Sequence, residues 1–216
     1  MKETARKQDA AMGIAIRDKQ KKYVLQSWNA QKNLNPIPIS YCDNIYLYDY
    51  EGNRYSDMSS MHVNMNVGYG NREINEAITE KLKRYAFISE AYADKDRADL
   101  AEMIIGLMPD NMGKVFFTNA GADANENAIK IARMYTGRNK LFSRYRSYHG
   151  SSFGAGNLTV DPRRFALEPG VPGFVKFRDP YRYRDNLPFN EEEYTAYCLR
   201  MLEEQILYEN PDNVAA

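Results

Sequence analysis

Cysteine and histidine are nearly missing from this 216-residue chain: Cys42 and Cys198, His62 and His149 are all there are. Two distant cysteines form neither a disulfide framework nor a Cys-x-x-Cys pattern. Two histidines cannot supply a multi-histidine metal centre, so no metal site is expected. So little cysteine fits a reducing compartment, and a cytoplasmic location is expected. Net charge is missing too. The 29 Lys plus Arg are balanced by 29 Asp plus Glu, leaving no overall field to gather nucleic acid or an anionic membrane surface. No run approaches the ~20 apolar residues of a membrane-spanning helix. The stretch Met1–Gln20 is charged throughout and lacks the apolar core of a secretory signal. Repeats and low-complexity tracts are absent as well.

What is present is a globular composition. A hydrophobic share of 44% is too high for a disordered chain, and the length fits one large domain or two small ones. Residues 1–30 read as a charged arm ending near Trp28. Asn33–Ser40, with Pro36 and Pro38, reads as an extended connector. Ile45–Tyr50 and Arg54–Met58 flank the turn Glu51-Gly52-Asn53 and predict a hairpin. Beyond Gly70 the period becomes helical. Ile74, Ala77, Ile78, Leu82 and Tyr85 share one face behind a capping Asn71, and Leu100, Met103, Ile104 and Leu107 share another. Val115–Thr118 predicts a strand, Ala122–Thr136 a helix closed by Gly137, and Lys140–Ser143 a second strand. Phe174–Phe177 predicts a third strand. Glu191–Tyr208 predicts a long helix with Asn190 and Glu193 as a capping pair. Val214-Ala215-Ala216 reads as the opening of one more strand. Short strands alternating with helices indicate an α/β fold with a largely parallel sheet.

Two segments carry chemistry. In Thr118-Asn119-Ala120-Gly121-Ala122-Asp123 a strand passes through tiny residues straight into a helix. Helix starts leave backbone N–H groups unpaired beside a partial positive charge, and Gly121 and Ala122 leave that backbone open to a phosphate. Neither the dinucleotide nor the nucleoside-triphosphate fingerprint is present, so a plain strand-to-helix turn remains open at this point. In Tyr145-Arg146-Ser147-Tyr148-His149-Gly150 an aromatic and a histidine follow a strand end, where open α/β sheets bind ligands. A core role for Tyr148 and a backbone bond for His149 are equally open.

The ordered set of segments resembles a known family. Asn119 to Arg133, then Thr136-Gly137-Arg138 and Tyr148-His149-Gly150, are similar to the class III aminotransferases. So are the earlier Asp49 to Asp57 and Gly68-Tyr69-Gly70. The resemblance spans about residues 20–216. It implies a fold-type-I transferase dependent on pyridoxal 5'-phosphate. Residues 1–65 would be an N-terminal arm and small-domain hairpin, and 66–216 the first half of the cofactor-binding large domain. It further implies that Gly121 and Ala122 hold the cofactor phosphate through backbone N–H groups, that Tyr148 stacks on the ring and that His149 lies close by. At the position of Ala122 the family often has Ser or Thr, so one phosphate hydrogen bond is lacking. Trp28 resembles a substrate-pocket aromatic of relatives that use taurine or other ω-amines with pyruvate. The expected reaction moves an amino group from an amine or amino acid to a keto acid, in a homodimer, with no nucleic acid or membrane as partner.

The same resemblance implies two groups that the chain does not show. The Schiff-base lysine and the carboxylate facing the pyridinium nitrogen lie in the family's second half, and neither Lys130 nor Lys140 has the required context. The expectation is therefore an inactive first half, with apolar helix faces and strand edges left uncovered. A non-catalytic product of a split or truncated gene, and an unrelated α/β module for a phosphorylated ligand, are the rival expectations.

Overall fold

A computed structural model describes residues 9–216. They form two compact units, one ending at Asp94 and the other running from Lys95 to Ala216.

The first unit opens with α1 (Ala10–Tyr23), capped by the Asp9 side chain, which accepts from the Met12 N–H. A three-stranded antiparallel meander follows: β1 (Ile39–Asp43), β2 (Tyr46–Asp49) and β3 (Arg54–Ser56). The expected hairpin is β2–β3, with Leu47 opposite Tyr55. The expected extended connector leaves a 3-10 turn at Asn33 and runs on into β1 at Ile39, which pairs with β2. Asp49 explains the residue types around the turn. Its buried carboxylate accepts from the backbone N–H groups of Glu51 (2.9 Å) and Asn53 (2.8 Å), the Asn53 amide (2.9 Å) and the Tyr55 hydroxyl (2.8 Å). Burial alone would push this carboxyl up, but those hydrogen bonds outweigh it and hold it below the ordinary 3.8. Gly52 completes the turn at φ +89°, a conformation only glycine adopts without strain.

The short α2 (Ser60–Val63) is a left-handed turn in which all four residues have positive φ. Asp57 holds it, accepting from the backbone N–H groups of Ser59 and Met61 and from the Tyr69 hydroxyl. Nothing in the residue types announces it, because left-handed turns of non-glycine residues are costly and rare. In α3 (Arg72–Arg84) the Asn71 side chain caps as expected, accepting from Ile74 N–H. Ile74, Ile78 and Leu82 of its predicted apolar face lie exposed, and Tyr85, expected on the same face, falls outside the helix as its extended C-cap.

The second unit begins with α4 (Lys95–Ile105). The face predicted to reach Leu107 stops short, since Gly106 interrupts it. The expected strand Val115–Thr118 is not a strand. A strand is defined by its partners, and no described strand runs beside this stretch. Next come α5 (Gly121–Thr136), closed by Gly137 in the left-handed region at φ 67°, and β4 (Leu141–Arg144). They are followed by α6 (Phe153–Leu158), β5 (Phe174–Phe177) and α7 (Glu191–Tyr208). The capping pair of α7 is complete: Asn190 accepts from Glu193 N–H and Glu193 from Asn190 N–H.

β4 and β5 are parallel, with Leu141 opposite Phe174 and Arg144 opposite Phe177. The other edge of β4 is covered by the last residues. Lys140 pairs in parallel with Val214, and Phe142 N–H donates to Ala216 C=O over 2.9 Å. Ile129, Leu141, Ala155, Val160 and Tyr194 are the buried apolar residues of this unit. Among the described residues no helix is long and apolar enough to cross a membrane.

Candidate functional site

The helix α5 starts without a side-chain cap. Ala120, at its N-cap, provides no side-chain acceptor, whereas Asn71 and Asn190 do so for α3 and α7. The first intrahelical bond runs from Ala124 N–H to Ala120 C=O at 3.0 Å. The N–H groups of the turn before it are therefore left for an outside acceptor. A Cβ built on Gly121 would meet nothing within 4 Å. An open helix start of this kind suits an anion such as a phosphate.

The segment after β4 returns to this turn. Gly150 sits at φ +132°, and a Cβ there would come within 2.7 Å of the Ala122 Cβ and 3.0 Å of its Cα. Asn125, one helical turn after Ala122, donates from its amide to His149 C=O at 2.6 Å. His149 N–H donates to Thr159 Oγ1 at 2.9 Å, and Thr159 Oγ1 also lies 3.0 Å from Gly150 C=O. The start of α5 and the loop that carries His149 are thus brought together through Gly150 and Asn125. Ala122 touches Gly150, and His149 is bound to the helix that begins at Gly121.

Tyr148 precedes His149 and is 43% exposed. The Arg163 guanidinium lies 4.1 Å from its ring centroid, and Arg163 is itself fixed by hydrogen bonds to the Asp161 carboxylate. The guanidinium thus makes a cation–π contact with the ring. Burial, then the charges of Lys176 and Arg144, pushes His149 below its ordinary 6.5. At neutral pH the imidazole is therefore uncharged.

Sequence reasoning missed several supporting groups. Glu126 Oε1 accepts from Ser152 Oγ (2.5 Å), Gly154 N–H (2.7 Å) and Ala155 N–H (3.0 Å). Ala122, Asn125 and Glu126 stand at i, i+3 and i+4, one face of a helix, and that spacing was the available signal. Lys176 on β5 was missed as well. Burial, then the charge of Arg164, lowers its ammonium to about 8. It donates to Ser143 Oγ at 3.1 Å and to Asn157 C=O, beside a cavity of about 300 Å³ that Arg164 also lines.

Trp28 belongs to the first unit. It has φ 64° and is 71% exposed.

The comparisons with known proteins decide the family. The model described as "Aminotransferase class-III" matches residues 28–216. The chain belongs to the class III aminotransferases. The solved taurine:2-oxoglutarate aminotransferase of Bifidobacterium kashiwanohense, held in complex with PLP and glutamate, is 47% identical with a TM-score of 0.88. That match covers 94% of this chain and 46% of the other. The (S)-enantioselective ω-transaminase of Thermomicrobium roseum is 32% identical, TM-score 0.88, over 94% and 48% of the two chains. The curated putrescine–pyruvate aminotransferase of Pseudomonas aeruginosa is 28% identical over 82% of this chain and 41% of its own length. This aminotransferase chain thus spans less than half the length of the relatives it matches.

The fold-type-I assignment and pyridoxal phosphate as the cofactor that goes with this family follow from these matches. The residues present fit that group. They offer an uncapped helix start with open space at Gly121, and an aromatic ring held one loop away.

Proposed function

We propose that Gly121, Ala122, Tyr148 and His149 form the phosphate and ring contacts of an amino-group transferase acting between an amine or amino acid and a keto acid. The observation that carries this is the uncapped start of α5 fastened directly to the Tyr148–Gly150 loop. Bound pyridoxal phosphate would supply the electron sink for the transfer. The residues of this chain bind and orient. The N–H groups of Gly121 and Ala122 hold the phosphate, with no hydroxyl at Ala122 to add a further bond. Tyr148 covers the ring. His149 stays neutral beside it and leaves the ring's own charge undisturbed.

No residue here takes the part of the covalent lysine or of the carboxylate at the ring nitrogen, and within these 216 residues the catalytic roles are unassigned. Taurine or another ω-amine is the proposed donor and pyruvate the proposed acceptor. The names of the taurine and putrescine enzymes support a terminal amine. Trp28 is the proposed wall of the amine pocket, the working enzyme the proposed homodimer, and the cytoplasm its proposed location. The exposed apolar face of α3 supports a further covering partner.

Titration with pyridoxal 5'-phosphate, read by the induced circular dichroism of the bound ring, tests this reading. Gly121→Val fills only open space within the protein, so the fold should survive while binding is abolished. Unchanged binding by that variant would place the phosphate elsewhere.

A further inference from the structure

We infer that Asn125 and Glu126 are positioning residues that fix the distance between the phosphate turn and the ring-covering Tyr148. The inference rests on the proposed cofactor contacts and adds the groups that hold them in register. Ala122, Asn125 and Glu126 form one face of α5, and each engages the same returning segment. Ala122 packs on Gly150, Asn125 binds His149 C=O, and Glu126 gathers Ser152 Oγ with the N–H groups of Gly154 and Ala155. These partners are 24 to 29 residues away in sequence, so no local turn would hold them there.

The glycines match the carboxylate. A Cβ on Gly154 would fall on the Glu126 side chain, 2.9 Å from Cδ and 3.0 Å from Oε1, with Oε2 nearer still. Glycine stands at 154 because the carboxylate must come this close, as glycine stands at 150 because Ala122 must. The backbone of His149 is held at both ends, its C=O by Asn125 and its N–H by Thr159. Tyr148, the next residue back, has its position relative to Gly121 set by that grip.

Glu126 is engaged as an acceptor. Burial alone would push its carboxyl up, but the bonds from Ser152, Ala155 and Gly154 and the charge of Lys130 outweigh it, and the group stays below its ordinary 4.5. An ionised carboxylate only accepts, which is what three converging donors require. The ligand such an arrangement selects is one whose phosphate and flat ring are joined at a fixed separation.

The test separates ring from phosphate. In the 216-residue chain, Glu126→Ala should weaken pyridoxal 5'-phosphate about tenfold, the size of one lost hydrogen bond to a charged group. The induced circular dichroism of the ring should be lost, while affinity for inorganic phosphate stays at the wild-type value. Glu126→Gln keeps an acceptor oxygen and should recover part of both. A purely structural role would weaken phosphate and cofactor alike, and that result, or an unchanged Glu126→Ala, overturns the inference. If Glu126→Ala fails to fold by far-ultraviolet circular dichroism, Ser152→Ala removes a single donor and is held to the same split. If the wild-type chain binds no pyridoxal phosphate, the cofactor reading has failed on its own. The positioning role is then read from amide hydrogen exchange at Gly154 and Ala155. Exchange there should be about tenfold faster in Glu126→Gln, and equal rates overturn it.

Discussion

Replacing Gly150 by alanine puts the junction between the start of α5 and the Tyr148–Gly150 loop under direct load. The added Cβ would stand 2.7 Å from Ala122 Cβ, 3.0 Å from Ala122 Cα and 3.0 Å from Ala155 Cβ. None of these is the end of a flexible side chain. Ala122 is fixed in the first turn of α5, and Ala155 is fully buried. Two costs add. A non-glycine residue at φ +132° carries about 1–3 kcal/mol of backbone strain. Forcing a methyl into a closed contact costs a further ~1–3 kcal/mol. The expected loss is therefore about 2–6 kcal/mol, against a stability of about 5–15 kcal/mol for an ordinary domain. Urea denaturation followed by circular dichroism measures it as a lowered midpoint. The cycle with Ala122→Gly isolates the cause, because that change removes the 2.7 Å contact and leaves the backbone strain. The double variant should regain part of that ~1–3 kcal/mol relative to Gly150→Ala after allowing for the single Ala122→Gly cost, since the contacts to Ala122 Cα and Ala155 Cβ remain. A Gly150→Ala midpoint within about 0.5 kcal/mol of wild type, or no coupling with Ala122→Gly, would refute the close-approach argument.

Tyr148→Ala should weaken pyridoxal phosphate by about 1 kcal/mol or more through lost stacking and burial, whereas Tyr148→Phe should keep most of the binding. Equal behaviour of the two variants in a binding titration would remove the ring from the site. Lys176 is lowered to about 8 in the fold from an ordinary 10.5, so the unfolded chain binds its proton more tightly. Stability should then rise between about pH 8 and 10.5 and be penalised below that window. Lys176→Met should flatten that slope in urea titrations at pH 8 and pH 10, and an identical slope would contradict the burial argument. The 216 residues alone should give no keto-acid-dependent turnover of an amine above a blank of free cofactor, since no lysine here stands in the catalytic context. Stereospecific turnover by the purified chain would show that the lysine had been misplaced.

Local signals were legible in the sequence, and distant ones were not. The helix from Gly121 with Gly137 behind it, the Asn71 cap and the Asn190–Glu193 pair all depend on residues within a turn or two. Gly121, Ala122, Tyr148 and His149 are named by the helix start and the family resemblance, and the structure brings Ala122 against Gly150 and ties His149 C=O to Asn125. The roles of Asn125 and Glu126 escaped because each depends on a segment more than twenty residues away. The apolar run of Val115–Thr118 predicts a strand, yet strand formation needs a neighbour that a local run cannot supply. The left-handed turn Ser60–Val63 was invisible because its cause is the side chain of Asp57, not a glycine. Lys176 escaped because its charge is altered by burial and by Arg164.

The pairing of β4 has a consequence in time. The β1–β2–β3 meander closes between near neighbours, so a chain leaving the ribosome can complete it soon after Ser56 emerges. β4 must wait for Phe174–Phe177 on one side and Val214–Ala216 on the other, with Asn139 bonded to Asn213 across 74 residues. Contacts that long are entropically slow to form. During synthesis the first unit should therefore become resistant to protease well before the second, and β4 should gain its full pairing only after Ala216 has emerged.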